Sequence, residues 1–292
     1  MLKHLGALMT LPSAPGNAGE DYLAVMNELR KPDANYGKAL KPESREALLA
    51  AAADPAFTAV VARMRSGAAK RECALVGTLV PWNDGPDPFA KIELPSALTL
   101  LAYAALPRFS AQELAAAGKI EEAKRALEPL VWMGWHLQKE PVLLYNVIGI
   151  SLSTEAADQL AELETDSTRS GRWRVLSGMF RARRYEDYND RRDDFGAAAT
   201  LDPSGVDRLA AVVDDPAALP GVRAESMRLV AIAHLVKSAD VLPTPQQRAH
   251  LERWTRLESP VLRSLAVRLS AVLDLDPMGR YKQHQVYAEE MQ

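Results

Sequence analysis

The chain has 292 residues, 48% hydrophobic and 25% charged, which is the balance of a folded soluble protein and excludes a disordered one. Its formal net charge of −3 argues against a dedicated nucleic-acid binder, which would be basic overall. Cys73 is the only cysteine, which excludes an internal disulfide and a cysteine-based zinc site.

A single thiol fits a reducing cytoplasm, although a bacterial periplasmic or envelope protein without disulfides would look the same. No stretch approaches the ~18 uninterrupted apolar residues that a membrane-spanning helix needs. The N-terminus, Met1-Leu2-Lys3-His4 followed by Leu5 to Leu11, has the outline of a degenerate targeting segment within residues 1–16. Pro12 and Pro15 follow its short apolar run at once, and the reading adopted is a helical turn packed on the body.

Tyr22, Val25, Met26 and Leu29 recur at helical spacing before Lys31-Pro32 stops the run. Ala47 to Ala52 and Phe57 to Met64 predict two further helices, separated by Asp54-Pro55. Leu75 to Val80 is the only run of strand type. The segment Pro81 to Pro88 holds three prolines and a glycine and reads as a loop. Its Asn83, Asp84 and Asp87 lack the spacing of a calcium loop and read as turn residues.

Leu94 to Ala117 predicts a helix closed by Gly118, with a kink at Pro107 unless a new helix starts at the capping box Ser110-Ala111-Gln112-Glu113. Lys119 to Gln138 predicts the return helix. Leu114 to Leu127, with Gly118 closing one helix and Ala123 and Leu127 on the next, resembles the middle of a tetratricopeptide repeat. The family's proline after the second helix is missing, Trp135 standing near that place. Val142 to Leu152 is apolar nearly all round, which predicts a central helix and the most buried segment of the chain. Gly149, Ser151 and Ser153 on it would let neighbouring helices approach closely.

Val222 to Ala231 and Leu262 to Ala271 align at an offset of forty residues, each after a proline punctuation at Asp215-Pro216 or Ser259-Pro260. With the helices Val206 to Val213 and Gln246 to Leu257 before them, these units resemble HEAT-type repeats, and the resemblance implies scaffolding or partner binding. The expected fold is all-α, with antiparallel helix pairs stacked as an irregular TPR/HEAT-like α-solenoid. The expected division is an N-terminal helical subdomain at 1–80, a Pro-rich loop at 81–93, a TPR-like body at 94–200, HEAT-like repeats at 201–276 and a tail at 277–292.

Six arginines lie between Arg169 and Arg184 without an acid among them, interleaved with Trp173 and Phe180. Arg172, Trp173, Arg181 and Arg184 are therefore the candidate binding residues. Glu155, Asp158 and Glu162 just upstream stand ready to pair with these arginines instead. His136 and Glu140 lie one helical turn apart, but no third ligand is in pattern, so His136 reads as a dipole-matched histidine near a helix end. No nucleophile motif, metal set or phosphate-cradling glycine loop is present, and no cofactor is expected. The expected function is non-enzymatic protein or peptide binding on a helical-repeat surface, without nucleic acid or membrane spanning. The alternative is an all-α enzyme holding an anionic substrate in a cleft beside residues 169–184. Prolonged chelation is expected to leave the melting temperature unchanged, a thermal scan with and without chelator being the check.

Overall fold

A computed structural model describes residues 10–29, 55–75, 97–184, 203–237 and 245–273. It is predominantly helical, as expected of an all-α protein. Helices α1 (Ala18–Leu29), α2 (Pro55–Ala69), α3 (Ala97–Ala116), α4 (Ile120–Leu137), α5 (Leu143–Leu163) and α6 (Ser167–Arg184) belong to one compact unit. Helices α7 (Pro203–Asp214), α8 (Pro220–Lys237), α9 (Pro245–Trp254) and α10 (Pro260–Leu273) belong to a second. Five of the ten open on a proline, whose missing N–H costs nothing where the first turn has no intrahelical acceptor to offer it. The predicted helix at Ala47 to Ala52 and the loop at Pro81 to Pro88 lie outside the described residues.

In the first unit, α1 packs on α2, and α4 packs on both α2 and α3. The α3–α4 turn closes as the glycine predicts. Gly118 takes φ 76°, Lys119 donates to the Leu114 carbonyl at 2.8 Å, and Gly118 to the Ala115 carbonyl at 3.0 Å. This pair of bonds satisfies carbonyls that the helix end leaves free, and it needs a residue without a Cβ penalty. Ala123 and Leu127 are buried beyond the turn. Pro107 lies inside a continuous α3, so no new helix begins at Ser110 and the capping-box reading is wrong there. A capping serine must precede the first turn, and Ser110 already sits within one.

Two corrections concern burial and strands. The longest unbroken buried run among the described residues is Leu130–Gln138 on α4, not Val142–Leu152 on α5. Leu144 is half exposed, and Val147 and Ser151 are only partly covered, so α5 keeps an open face despite its apolar sequence. Apolarity permits enclosure, but enclosure requires neighbours, and α4 is the helix that has them on several sides. The described strands are β1 (Ala14–Asn17) and β2 (Lys70–Glu72), paired in parallel with Ala14 opposite Lys70 and Asn17 opposite Glu72. Leu75 is helical and residues 76–80 lie outside the described residues. Neither strand has an alternating apolar pattern, so β propensity did not mark them.

Helices α4 and α5 meet backbone to backbone. A Cβ placed on Gly134 would lie 2.5 Å from the Gly149 carbonyl oxygen and 2.8 Å from the Ser153 amide nitrogen. A Cβ on Gly149 would strike the Gly134 oxygen and lie 3.0 Å from the Gln138 nitrogen. Buried polar groups tie the crossing. Ser153 Oγ donates to the Val131 carbonyl at 3.0 Å and accepts from Gln138 Nε2 at 3.2 Å. Asn146 Nδ2 donates to the carbonyls of Leu137 and Glu140 at 3.0 and 2.7 Å, closing the end of α4.

In the second unit, α7 packs on α8 and α9 on α10; α7 also contacts α9, and α8 contacts α10. Arg223 Nε donates to the Val213 carbonyl at 2.9 Å and so caps α7. Trp254 is fully buried and its indole N–H donates to Asp214 at 3.1 Å, while Arg253 forms an ion pair with the same carboxylate. Positions forty apart share burial at Val222 and Leu262 and at Leu229 and Leu269, but Met227 is buried where Val267 is 56% exposed. Gly134→Ala is expected to destabilise by about 1–3 kcal/mol, the usual cost of forcing atoms into a packed core. Gly178→Ala, where nothing lies within 4 Å, is expected to stabilise by up to ~1 kcal/mol through helix propensity. Urea unfolding of the two variants checks both signs.

Candidate functional site

The arginine-rich helix opens on a cap. Asp166 Oδ1 accepts from the Arg169 amide at 2.9 Å, and that bond leads the causes holding the carboxyl below its usual range. Trp173, Leu176, Ser177 and Phe180 then recur at helical spacing and are all buried. Arg169 and Arg172 are exposed and, one turn before Trp173 and Leu176, border that stripe at the start of the helix. On α4, Ala123, Ala126, Leu127 and Leu130 are buried, which leaves Glu121, Lys124, Arg125 and Glu128 along a second outward stripe.

The two stripes line a groove of about 280 Å³ that includes Leu160 and the edge of Trp173. Lys124 is engaged within it, meeting Glu121 at 2.9 Å and Glu164 at 2.8 Å. Desolvation works against the Lys124 charge, but these two hydrogen bonds outweigh it and raise its pKa above the ordinary value. The bond from Lys124 correspondingly lowers the Glu121 carboxyl. Arg125 Nε donates to the Glu121 carbonyl at 3.1 Å. Among the described residues, Arg125, Arg169 and Arg172 form no ion pair within 4.0 Å. Glu128 also lines the groove, and desolvation raises its carboxyl above the ordinary value.

Of the four residues named from the sequence, Arg172 and Trp173 thus share a groove. Arg181 lies outside it, bound to Asp158 at 2.8 Å on α5, one of the three upstream acids expected to compete for these arginines. Glu155 pairs with Arg108 of α3 instead. Arg184 ends α6, and its side chain lies outside the described residues. Arg125 was missed because its partners come from another helix, and no spacing within α4 shows what will stand opposite.

His136 and Glu140 turn to different partners. Tyr22 Oη and His136 Nδ1 lie 2.9 Å apart in a fully buried contact. Burial, reinforced by nearby Lys139, lowers the His136 pKa to about 3, with only the Lys70 backbone opposing it. The imidazole is therefore neutral: desolvation outweighs the helix dipole that favours a charged histidine near this end. The neutral ring serves the Tyr22 hydroxyl, whose own pKa burial raises well above 10.0. Glu140 Oε1 accepts from the Leu75 amide at 2.8 Å and from Cys73 Sγ at 3.3 Å. Burial and the Glu140 carboxylate push the Cys73 thiol well up, the opposite of an activated thiolate. Among the described residues, no three His, Cys, Asp or Glu side chains are placed to hold a metal ion.

No family model matches the chain, and no curated protein or solved structure shows a significant match to it.

Because the folded-state pKa of His136 lies below its unfolded value, the unfolded chain binds the extra proton between about pH 6.5 and 3. Its contribution to stability is complete above pH 6.5 and is lost as the pH falls through that window, with a slope approaching ~1.4 kcal/mol per pH unit. Equilibrium unfolding at stepped pH should show a shallower acid slope in His136→Gln than in the unaltered protein. Tyr22→Phe should cost ~1–3 kcal/mol at neutral pH by leaving Nδ1 unsatisfied.

Proposed function

We propose that the protein is a non-enzymatic binding protein that takes an acidic segment of a partner protein on the groove between α4 and α6. The observation that carries this reading is the division of the cations. Lys124, Arg108 and Arg181 each hold a carboxylate, whereas Arg125, Arg169 and Arg172 surround an apolar floor of Leu160 and Trp173 with no ion pair of their own among the described residues. Guanidinium groups presented over an aromatic edge suit a partner carboxylate beside an apolar anchor. The groove volume of about 280 Å³ lies just below the ~300–1,000 Å³ of small-molecule sites and suits one or two side chains of a longer segment.

The helix arrangement supports the same class of function. The α3–α4 hairpin turns at Gly118 in the manner of a tetratricopeptide unit. In the second unit, first helix meets first helix and second meets second, as stacked HEAT-like pairs would. Repeat pairs of this kind present surfaces for peptides and partner domains.

The triple variant Arg125→Ala, Arg169→Ala, Arg172→Ala is expected to weaken binding of a fluorescent Glu- and Leu-containing peptide by about tenfold or more, since desolvated charge pairs at interfaces carry kilocalories. Its melting temperature should change little, exposed charges contributing ~0–1 kcal/mol each. Arg181→Ala should change neither reading. A triple variant that loses stability but keeps peptide affinity would make the groove a structural element. At near-physiological salt, neither DNA nor RNA should bind specifically.

A further inference from the structure

The groove between α4 and α6 presents a free carboxylate as well as free guanidinium groups. Four cations and three carboxylates line it, so its surplus is a single positive charge. A strongly acidic occupant would bring more negative charge than this lining can balance. Two of the carboxylates are engaged, Glu121 and Glu164 meeting Lys124 at 2.9 and 2.8 Å. Glu128 is the third, and among the described residues it has neither an ion pair nor a hydrogen bond. We propose, on the reading of this groove as the docking site, that Glu128 selects the partner segment by receiving a basic side chain from it. Arg125, Arg169 and Arg172 receive its acid. The segment then carries Lys or Arg about one turn from Glu or Asp, with an apolar residue between them for Leu160 and the edge of Trp173.

The sequence of α4 explains why Glu128 is open. Glu121, Lys124, Arg125 and Glu128 follow at spacings of three and four, which sets them along one face. Helix neighbours at these spacings ordinarily pair, and both Lys124 and Arg125 stand one turn before Glu128. Neither meets it. Lys124 Nζ is held by Glu121 and Glu164, and Arg125 Nε donates to the Glu121 carbonyl at 3.1 Å, one turn back toward the start of α4. Arg125 is thereby drawn away from Glu128, and its other N–H groups are left for an occupant. Opposite charges thus stand unjoined on residues whose Cβ atoms are about 5–6 Å apart.

Pro129 adds a second acceptor on the same turn. It has no N–H, so the Arg125 carbonyl lacks the donor that an unbroken helix would supply from that position. A lysine ammonium carries donors enough for both the carboxylate and the carbonyl. Desolvation, with no partner to offset it, raises the Glu128 carboxyl above its ordinary value. An incoming cation removes that cost, and a purely acidic segment would increase it.

The test measures fluorescence anisotropy of end-capped peptides with the full chain at near-physiological salt. Two peptides carry Glu-Leu-Leu at their centre; one continues with Lys and the other with Gln. The Lys peptide should bind roughly threefold or more tighter, within what one charge pair at an interface contributes. Glu128→Gln should erase that preference. Glu128→Lys should instead favour a third peptide with Glu at that place, an exchange that a merely structural Glu128 would not produce. Equal binding of the Lys and Gln peptides to the unaltered protein would overturn selection by Glu128 while leaving the groove an acid-binding site. That comparison decides the matter even if a variant fails to fold. A preference for Lys that survives Glu128→Gln would overturn the assignment to this residue. Binding of neither peptide would overturn the reading of the groove, and this inference with it.

Discussion

The first unit depends on a contact between two backbones. Where α4 crosses α5, Gly134 and Gly149 face each other with no side chain between them, and neither position has room for a Cβ. A larger residue at either place would separate the helices, and the buried network around the crossing would lose its geometry. Ser153 reaches the Val131 carbonyl, and Asn146 reaches the last carbonyls of α4, because the axes are this close. Each of these side chains removes a desolvation cost that would otherwise fall on an orphaned backbone group. Close approach and polar satisfaction are thus one device.

From that crossing, α4 is held on several sides and becomes the element around which the first unit assembles. Its buried half carries His136 to Tyr22 of α1, and the residue just beyond it, Glu140, receives the Leu75 amide. Asn17 Oδ1 accepts from Gly19 and Ala74, so one side chain joins β1, the start of α1 and the chain after β2. Polar groups therefore connect segments that no apolar stripe would have brought into register. The groove uses what remains of α4, whose first half presents Lys124 and Arg125 outward.

Charge is distributed with the same economy. Near α6, Arg181 meets Asp158 of α5 and Lys124 meets Glu164 just beyond that helix. Such exposed or half-exposed pairs contribute little to stability, but they decide which cations are left over for a partner. Arg125, Arg169 and Arg172 are left over because Lys124 engages Glu121 and Glu164, two of the acids that line their groove.

Local chemistry in the sequence determined the helices and their ends. Proline fixes φ and removes a donor, and Gly118 relieves a left-handed turn; these act within a few residues and can be read along the chain. The spacing of Trp173, Leu176 and Phe180 likewise determined which side of α6 would be buried. The sequence also showed Gly149 and Ser153 as points of close approach, though not that Gly134 would be the partner. Only the tertiary structure decided that α4 rather than the more apolar α5 is enclosed, that Tyr22 meets His136, and that Arg125 joins Arg172. Those outcomes depend on residues far apart in the chain, and burial sets their energies: the same His136 would be an ordinary titrating imidazole on an exposed helix and is a neutral partner of Tyr22 here because no water reaches it.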